Sequence, residues 1–295
     1  MPPLPPGAPA SVPPALGHPR GPRWGTGRRR GTGRRRGTGR PPVLGALAVL
    51  AVVFVALPFV GLLQRAPWTG LPSLLAGSGA ADALRLSLVS AVAATGLALA
   101  LGMPLAWVLA RFEFRGRSLV RALVTLPMVV PPVVGGAALL FALGRRGLVG
   151  QWLASWFGIV LPFSTAGVVV AETFVAMPFL VITVEAGLRS LDPRYEDAAA
   201  TLGSSRWTTF RRITLPAVAP SILAGSLLCW ARALGEFGAT ITFAGNLAGR
   251  TQTMPLAVFL ALEDDRDAAI ALSLVLIAVA LAVLSALHHR WFPVR

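Results

Sequence analysis

Residues Asp197 to Pro216 read DAAATLGSSRWTTFRRITLP, the longest polar run between apolar segments once the N-terminal tail is passed. It is not built like a flexible linker. Ala198, Ala199, Ala200 and Leu202 favour helix, and Gly203 interrupts it. Ser204 or Ser205 then caps a second short helix. In that helix Trp207 and Phe210 stand at i and i+3 on one face, while Arg206, Arg211 and Arg212 carry charge. Leu215 and Pro216 close the unit before the next apolar segment. The residues alone leave two readings open. One is a docking element for another protein, and the other is an interfacial loop with Trp and Arg among lipid headgroups.

Outward from this stretch the chain is mostly apolar. Of 295 residues, 55% are hydrophobic and only 13% are charged, the profile of an all-α polytopic membrane protein rather than a soluble domain. Six apolar segments, near 43–63, 84–110, 122–143, 166–188, 218–244 and 268–287, each reach the ~20 residues a helix needs to cross a ~30 Å hydrocarbon core. The connections alternate in arginine content. The tail carries nine, the 111–121 connection four (Arg111, Arg115, Arg117, Arg121) and the 189–217 connection five, whereas 64–83, 144–165 and 245–267 carry two or fewer. The positive-inside rule places both termini and the Asp197–Pro216 loop in the cytoplasm. Trp68, Trp152 and Trp156 then fall outside, and Trp107 and Trp291 near the inner boundary. The apolar segment 148–162 is too short to span and suits an external helix lying on the membrane or a re-entrant piece.

The net charge of +15 does not point to nucleic acid, because nine of the 27 basic residues lie before residue 42 and most of the rest flank apolar spans. Residues 1–42, rich in Pro, Gly and Arg with the repeat GTGRRR-GTGRRR-GTGR, are expected to be a disordered cytoplasmic tail that touches lipid headgroups at most. The single cysteine, Cys229, lies in an apolar stretch and reads as a small buried hydrophobe.

Few charges enter the spans, so each one carries information. Arg232 and Glu236 lie one helical turn apart in the fifth span, and Glu172 and Glu185 lie in the fourth. With Asn246, the set Glu172, Arg232 and Glu236 either lines a pathway for an anion or fixes helix packing. Packing is the preferred reading, because a strongly attractive charge in mid-pathway would retain the ion. No catalytic constellation and no metal-ligand set is expected. The chain has no GxxxxGK[ST] loop to hold ATP by that route, and the adjacent His288 and His289 project in different directions on a helix. Glu263, Asp264, Asp265 and Asp267 suit a solvated cap on the last span.

Asp197-Ala198-Ala199, Gly203, Ile213, Leu215 and Pro216 resemble the signature loop of ABC importer permeases, EAA–x3–G–x9–I–x–L–P, with Asp in place of the usual Glu. The resemblance runs from residue 43 to residue 292. It implies a type I importer permease fold with a six-span domain over 43–292 and a coupling loop at 189–217. Within that family, ARALGEFGATITFAGN (residues 231–246) followed by GRTQTMPLAVFLALE looks like the molybdate permeases, close relatives of tungstate and sulfate permeases. The resemblance further implies a homodimer in a prokaryotic cell membrane and cytoplasmic ATPase subunits docked on the coupling loop. It also implies an extracytoplasmic oxyanion-binding protein, and ATP bound by the partner subunits rather than by this chain. Ser204 to Arg212 would be the coupling helix, with Trp207 and Phe210 as its knobs. Against this stand a sulfate or tungstate permease of the same family and, in a different class, a stand-alone proton-coupled carrier using the buried carboxylates.

Overall fold

The computed structural model describes residues 42–291 except residue 78, and leaves the side chains of residues 42, 284 and 286–291 outside that description. The expected disordered tail, His18, Phe292 and the side chains of His288, His289 and Trp291 therefore lie outside the described residues. The chain divides at Val53/Phe54 into two units, and the second holds nearly all of the described residues. Among the described residues every regular element is helical. In chain order they are α1 (Pro42–Gln64), α2 (Leu71–Gly77), α3 (Ala80–Arg111), α4 (Arg117–Val129), α5 (Pro132–Leu143), α6 (Gly150–Phe157) and α7 (Thr165–Ser190). There follow α8 (Arg194–Thr201), α9 (Arg206–Thr209), a π-helical turn (Phe210–Thr214), α10 (Leu215–Leu234), α11 (Gly238–Phe243), α12 (Met254–Asp264) and α13 (Arg266–Trp291).

Among the described residues five helices are long and apolar enough to cross a membrane, and the bent pair α4–α5 makes a sixth if its two helices are one span. In the second unit the α1 residues Phe54, Val55, Leu57, Phe59, Val60 and Leu63 are all exposed, as suits a helix bathed in lipid. The core is built differently. Along α3 the buried positions before Leu109 are small, among them Ser87, Ser90, Ala91, Ala94, Ala98, Gly102 and Ala106. That stripe lets α7 approach closely and fill the seam with Leu180, Val181, Val184 and Leu188. At Gly102 a Cβ would already stand 3.0 Å from Val181 Cγ2 and 3.2 Å from Leu180 Cδ2. On another side of α7, α10 completes the core with Val218, Cys229, Trp230, Ala233 and Leu234.

Two spans depart from the simple helices expected of their hydropathy. The segment expected at 122–143 is two helices, bent by 119° at Pro131-Pro132. Two consecutive residues without N–H groups end α4 and restart α5 with Pro132 in its first turn. The segment expected at 218–244 stops at Leu234, and after Gly235–Phe237 only the short α11 follows. At its other end α10 is not separated from the Asp197–Pro216 stretch. Residues Arg206–Leu234 form one continuous helix through the π turn, where Leu215 N–H donates to Phe210 O. Pro216 has no N–H to return to Arg212, and a widened turn accommodates its ring without breaking the helix. Leu215-Pro216 therefore does not close the unit.

The arginine-rich ends gather on one side. Arg121 and Arg189 both pair with Glu185, at 2.5 and 2.9 Å, and Arg117 and Arg189 both donate to the Leu109 carbonyl near the end of α3. At the opposite end Thr165 Oγ1 donates to the Arg250 carbonyl (2.9 Å), and Met254 N–H donates to Ser87 Oγ (2.7 Å). The external helix α6 exposes Trp152, Trp156 and Phe157. A further external helix, α12, lies where the hydropathy reading placed only a connection, packed on α3 and α13. Asp265 Oδ1 accepts from Asp267 N–H and Ala268 N–H, capping α13.

Candidate functional site

The stretch around Gly203 folds as a preformed projection on the cytoplasmic side. Helix α8 ends in a Schellman arrangement, with Gly203 N–H donating to Ala200 O and Ser204 N–H to Ala199 O, both at 3.0 Å. That geometry requires a left-handed residue, and Gly203 supplies it at φ +79°. Asp197 lies exposed in the first turn of α8, favourably placed on the helix dipole. Of α8 only Ala199 is buried, while Ala198 and Ala200 face solvent. Ser205 rather than Ser204 caps α9, its Oγ accepting from Thr208 N–H at 3.2 Å, while Ser204 Oγ accepts from Thr209 Oγ1 at 3.3 Å.

Trp207 is 68% exposed and its ring stacks on Phe210, centroids 5.7 Å apart at 26°. Phe210 is half-buried, and its inner edge meets Trp107 of α3 at 5.0 Å and 83°. The two aromatics expected as a pair of outward knobs thus have different jobs: Trp207 projects, and Phe210 joins it to the membrane core. Ile213 is half-buried on the turn below, Leu215 and Pro216 begin α10, and Arg206, Arg211 and Arg212 are exposed around the projection. Leu202, at 88% exposed, is another large apolar side chain that this stretch presents to the outside. It lies within the motif's spacer, and nothing in the spacing marks it.

A carboxylate that the motif does not include anchors this projection. Glu196 Oε1 accepts from Arg111 at 2.9 Å and from Thr214 Oγ1 at 2.8 Å. Arg111 is the last residue of α3 and lies 5.9 Å over the Trp107 ring. The adjacency of Glu196 to Asp197 is the one local hint of this role. Its partners lie 85 and 18 residues away and are invisible to spacing.

The buried polar residues separate into distinct places. Glu236, 1% exposed, pairs with Arg232 at 2.6 Å, as the i, i+4 spacing leads one to expect. Its other oxygen accepts from Ala239 N–H at 2.7 Å, in the first turn of α11. Glu236 therefore holds both sides of the α10–α11 break. This break meets the α4–α5 break. A Cβ on Gly238 would lie 2.8 Å from Pro132 Cβ, and one on Gly136 would lie 2.8 Å from the Ala239 carbonyl oxygen. Glu172, also 1% exposed, accepts from Ser90 Oγ at 2.8 Å, and its second oxygen is buried without a partner among the described residues. Asn246 follows Gly245 (φ +73°) with its Oδ1 likewise unpartnered.

Replacing Glu236 with Ala removes the Arg232 partner and the α11 cap together. The variant is expected to lose about 3 kcal/mol of stability, the lower end for breaking a buried pair because Arg232 is partly exposed. Glu236→Gln, whose amide oxygen still accepts from Ala239 N–H, should lose less. Thermal unfolding in detergent reads the difference, and equal melting of Glu236→Ala and the parent would contradict the bridging role.

A family model described as "Binding-protein-dependent transport system inner membrane component" matches residues 98–293. The molybdenum transport system permease protein ModB of Mycobacterium bovis is 48% identical over 243 residues, spanning 82% of this chain and 92% of that protein. The sulfate transport system permease protein CysT of Escherichia coli is 35% identical over 249 residues, spanning 83% and 90%. Among solved structures, the bacterial alginate ABC transporter in complex with its alginate pentasaccharide-bound periplasmic protein superposes with a TM-score of 0.65. Sequence identity there is 21%, covering 84% of this chain and 92% of that one, and the likeness is one of fold.

Proposed function

Because the chain belongs to the inner membrane components of binding-protein-dependent transport systems, we propose that it is the permease through which an ATP-driven importer moves molybdate into the cell. It is a multi-pass membrane protein and a transport subunit rather than an enzyme. The observation that carries the substrate is the higher identity to the molybdenum permease, over nearly all of that protein's length, than to the sulfate permease. Membership in a binding-protein-dependent family takes away the ground for a stand-alone proton-coupled carrier, and the buried carboxylates are left with their packing roles.

Two copies of the chain enclose the path, and an extracytoplasmic binding protein presents the oxyanion to their outer ends. Cytoplasmic ATPase subunits supply the ATP chemistry, with no cofactor held by this chain. Each ATPase docks on the projection between Arg194 and Thr214. Supporting this are two exposed apolar side chains, Leu202 and Trp207, and the exposed Arg206, Arg211 and Arg212, all in one stretch whose backbone is already held in shape by the Gly203 turn and the Ser205 cap. A docking element that is ordered before it binds loses little conformational entropy on binding. When the ATPases close, the projections are drawn together and the spans tilt to open outward. Hydrolysis lets them return and release the anion inside. Arg232 is already paired with Glu236, so a passing dianion meets a partly neutralised charge that slows it little.

The test is reconstitution of the permease with its ATPase and binding protein in proteoliposomes, with molybdate uptake measured against sulfate and tungstate as competitors. ATP-dependent molybdate uptake that persists with a protonophore, and that excess sulfate leaves intact, is the expected result. Preferential uptake of sulfate would overturn the substrate, and uptake without the ATPase would overturn the class.

A further inference from the structure

We infer that Glu196 is a positioning residue for import, the strut that carries movement of the docking projection into the membrane core. This inference rests on the importer reading above. Glu196 is on α8, next to the signature residues rather than among them, and its carboxylate is partly buried. Through one oxygen it receives Arg111 at the last residue of α3 and Thr214 at the last residue before α10. Thr214 is fully buried, and the side chains of Arg111 and Glu196 are 16% and 25% exposed. A tie this sheltered is weakened less by solvent and salt than a surface ion pair.

The geometry distinguishes a transmitting tie from a merely local one. Helix α8 buries a single side chain, Ala199, so packing alone gives it a weak hold on the rest of the molecule. The Glu196 tie makes α8, the end of α3 and the start of α10 move as one body. A second link ends at the same place, since Trp207 stacks on Phe210 and Phe210 meets Trp107, one turn before Arg111. The receiving end is itself braced: the Leu109 carbonyl accepts from Arg117 and Arg189, and Arg189 shares Glu185 with Arg121 of α4. A displacement of the projection therefore reaches α3, α4 and α7 through groups with little slack. The aromatic link fixes direction by contact, which resists a push. The charged link also resists a pull, and a pull is what separating ATPase subunits exert.

Glu196→Gln retains the shape and removes the charge. In proteoliposomes containing the permease, its ATPase and its binding protein, this variant is expected to hydrolyse ATP with the ATPase still bound. Molybdate imported per ATP should fall about tenfold, within the usual range of a coupling free energy. Arg111→Gln should fall equally, and the double variant should fall no further, since either change breaks the same tie. Arg111→Lys, which can still reach the carboxylate, should recover much of the loss. Import per ATP at the parent level in Glu196→Gln would overturn the inference. So would loss of the ATPase or of folded permease in that variant, which would make Glu196 a structural residue only. Additive losses in the double variant would equally count against a shared strut. Failure of the parent complex to import under ATP would instead overturn the importer reading, independently of any variant.

Discussion

Trp207→Asp is expected to abolish ATP-driven uptake while the protein remains folded in the membrane. Trp207 is largely exposed and contributes to the fold chiefly through its stack on Phe210, so its loss should lower stability by about 1 kcal/mol. Its effect on docking is of a different size. An exposed tryptophan on a docking surface is the kind of side chain whose removal costs an interface about 2–4 kcal/mol. The aspartate adds a charge that must be desolvated against the same partner surface. Together these correspond to a loss of at least about 100-fold in ATPase affinity. Two measurements separate the effects: the amount of permease in the membrane, which should stay near that of the parent, and co-purification of the ATPase, which should vanish. Trp207→Phe should fall between. Normal uptake by Trp207→Asp would remove the projection as the docking element.

The second large effect is on folding. Gly136→Val should leave little folded permease, because the close approach of α5 and α11 has no space for a side chain. A Cβ there would stand 2.8 Å from the Ala239 carbonyl oxygen, 2.8 Å from Thr242 Cβ and 2.9 Å from Ala239 Cα. Two of these atoms belong to backbone and cannot rotate away, so α11 itself must shift. Overpacking of this kind costs about 1–3 kcal/mol where neighbours can adjust, and more where backbone blocks the relief. The shift would also pull Ala239 from Glu236 and disturb the Arg232 pair. The neighbouring Gly135→Ala is the control, since its nearest contact is the Phe174 ring edge at 3.1 Å, a side chain that can turn. A melting temperature for Gly136→Val equal to that of Gly135→Ala would show that the two broken helices are not held together at this point.

The site was legible in the sequence where its interactions are local. Gly203 announces a break in the helix, Ser204 or Ser205 a cap, and Arg232 and Glu236 a pair one turn apart; the structure contains the break as a left-handed turn, the cap at Ser205, and the pair. Phe210 was only half legible, because its spacing from Trp207 says the two rings are neighbours but not that one faces inward to Trp107. Glu196 was legible only as a neighbour of Asp197, and its partners not at all. Ser90 with Glu172, and Arg121 with Glu185, are pairings of the same hidden kind, with 82 and 64 residues between partners.

The sequence by itself determined which segments are apolar enough to cross a membrane and where the Gly203 loop turns. Hydropathy, arginine bias and the demands of one glycine all act within a few residues of where they are written. The tertiary structure alone decided how that loop is fastened and where the spans break together. Pro131-Pro132 announces a bend but neither its 119° nor its partner, and Gly235 interrupts α10 without saying what fills the gap. Both depend on which helix lies alongside. In a membrane that choice is made by close packing of small residues and by satisfying buried polar groups, both of which belong to pairs of distant residues and not to any one stretch of chain.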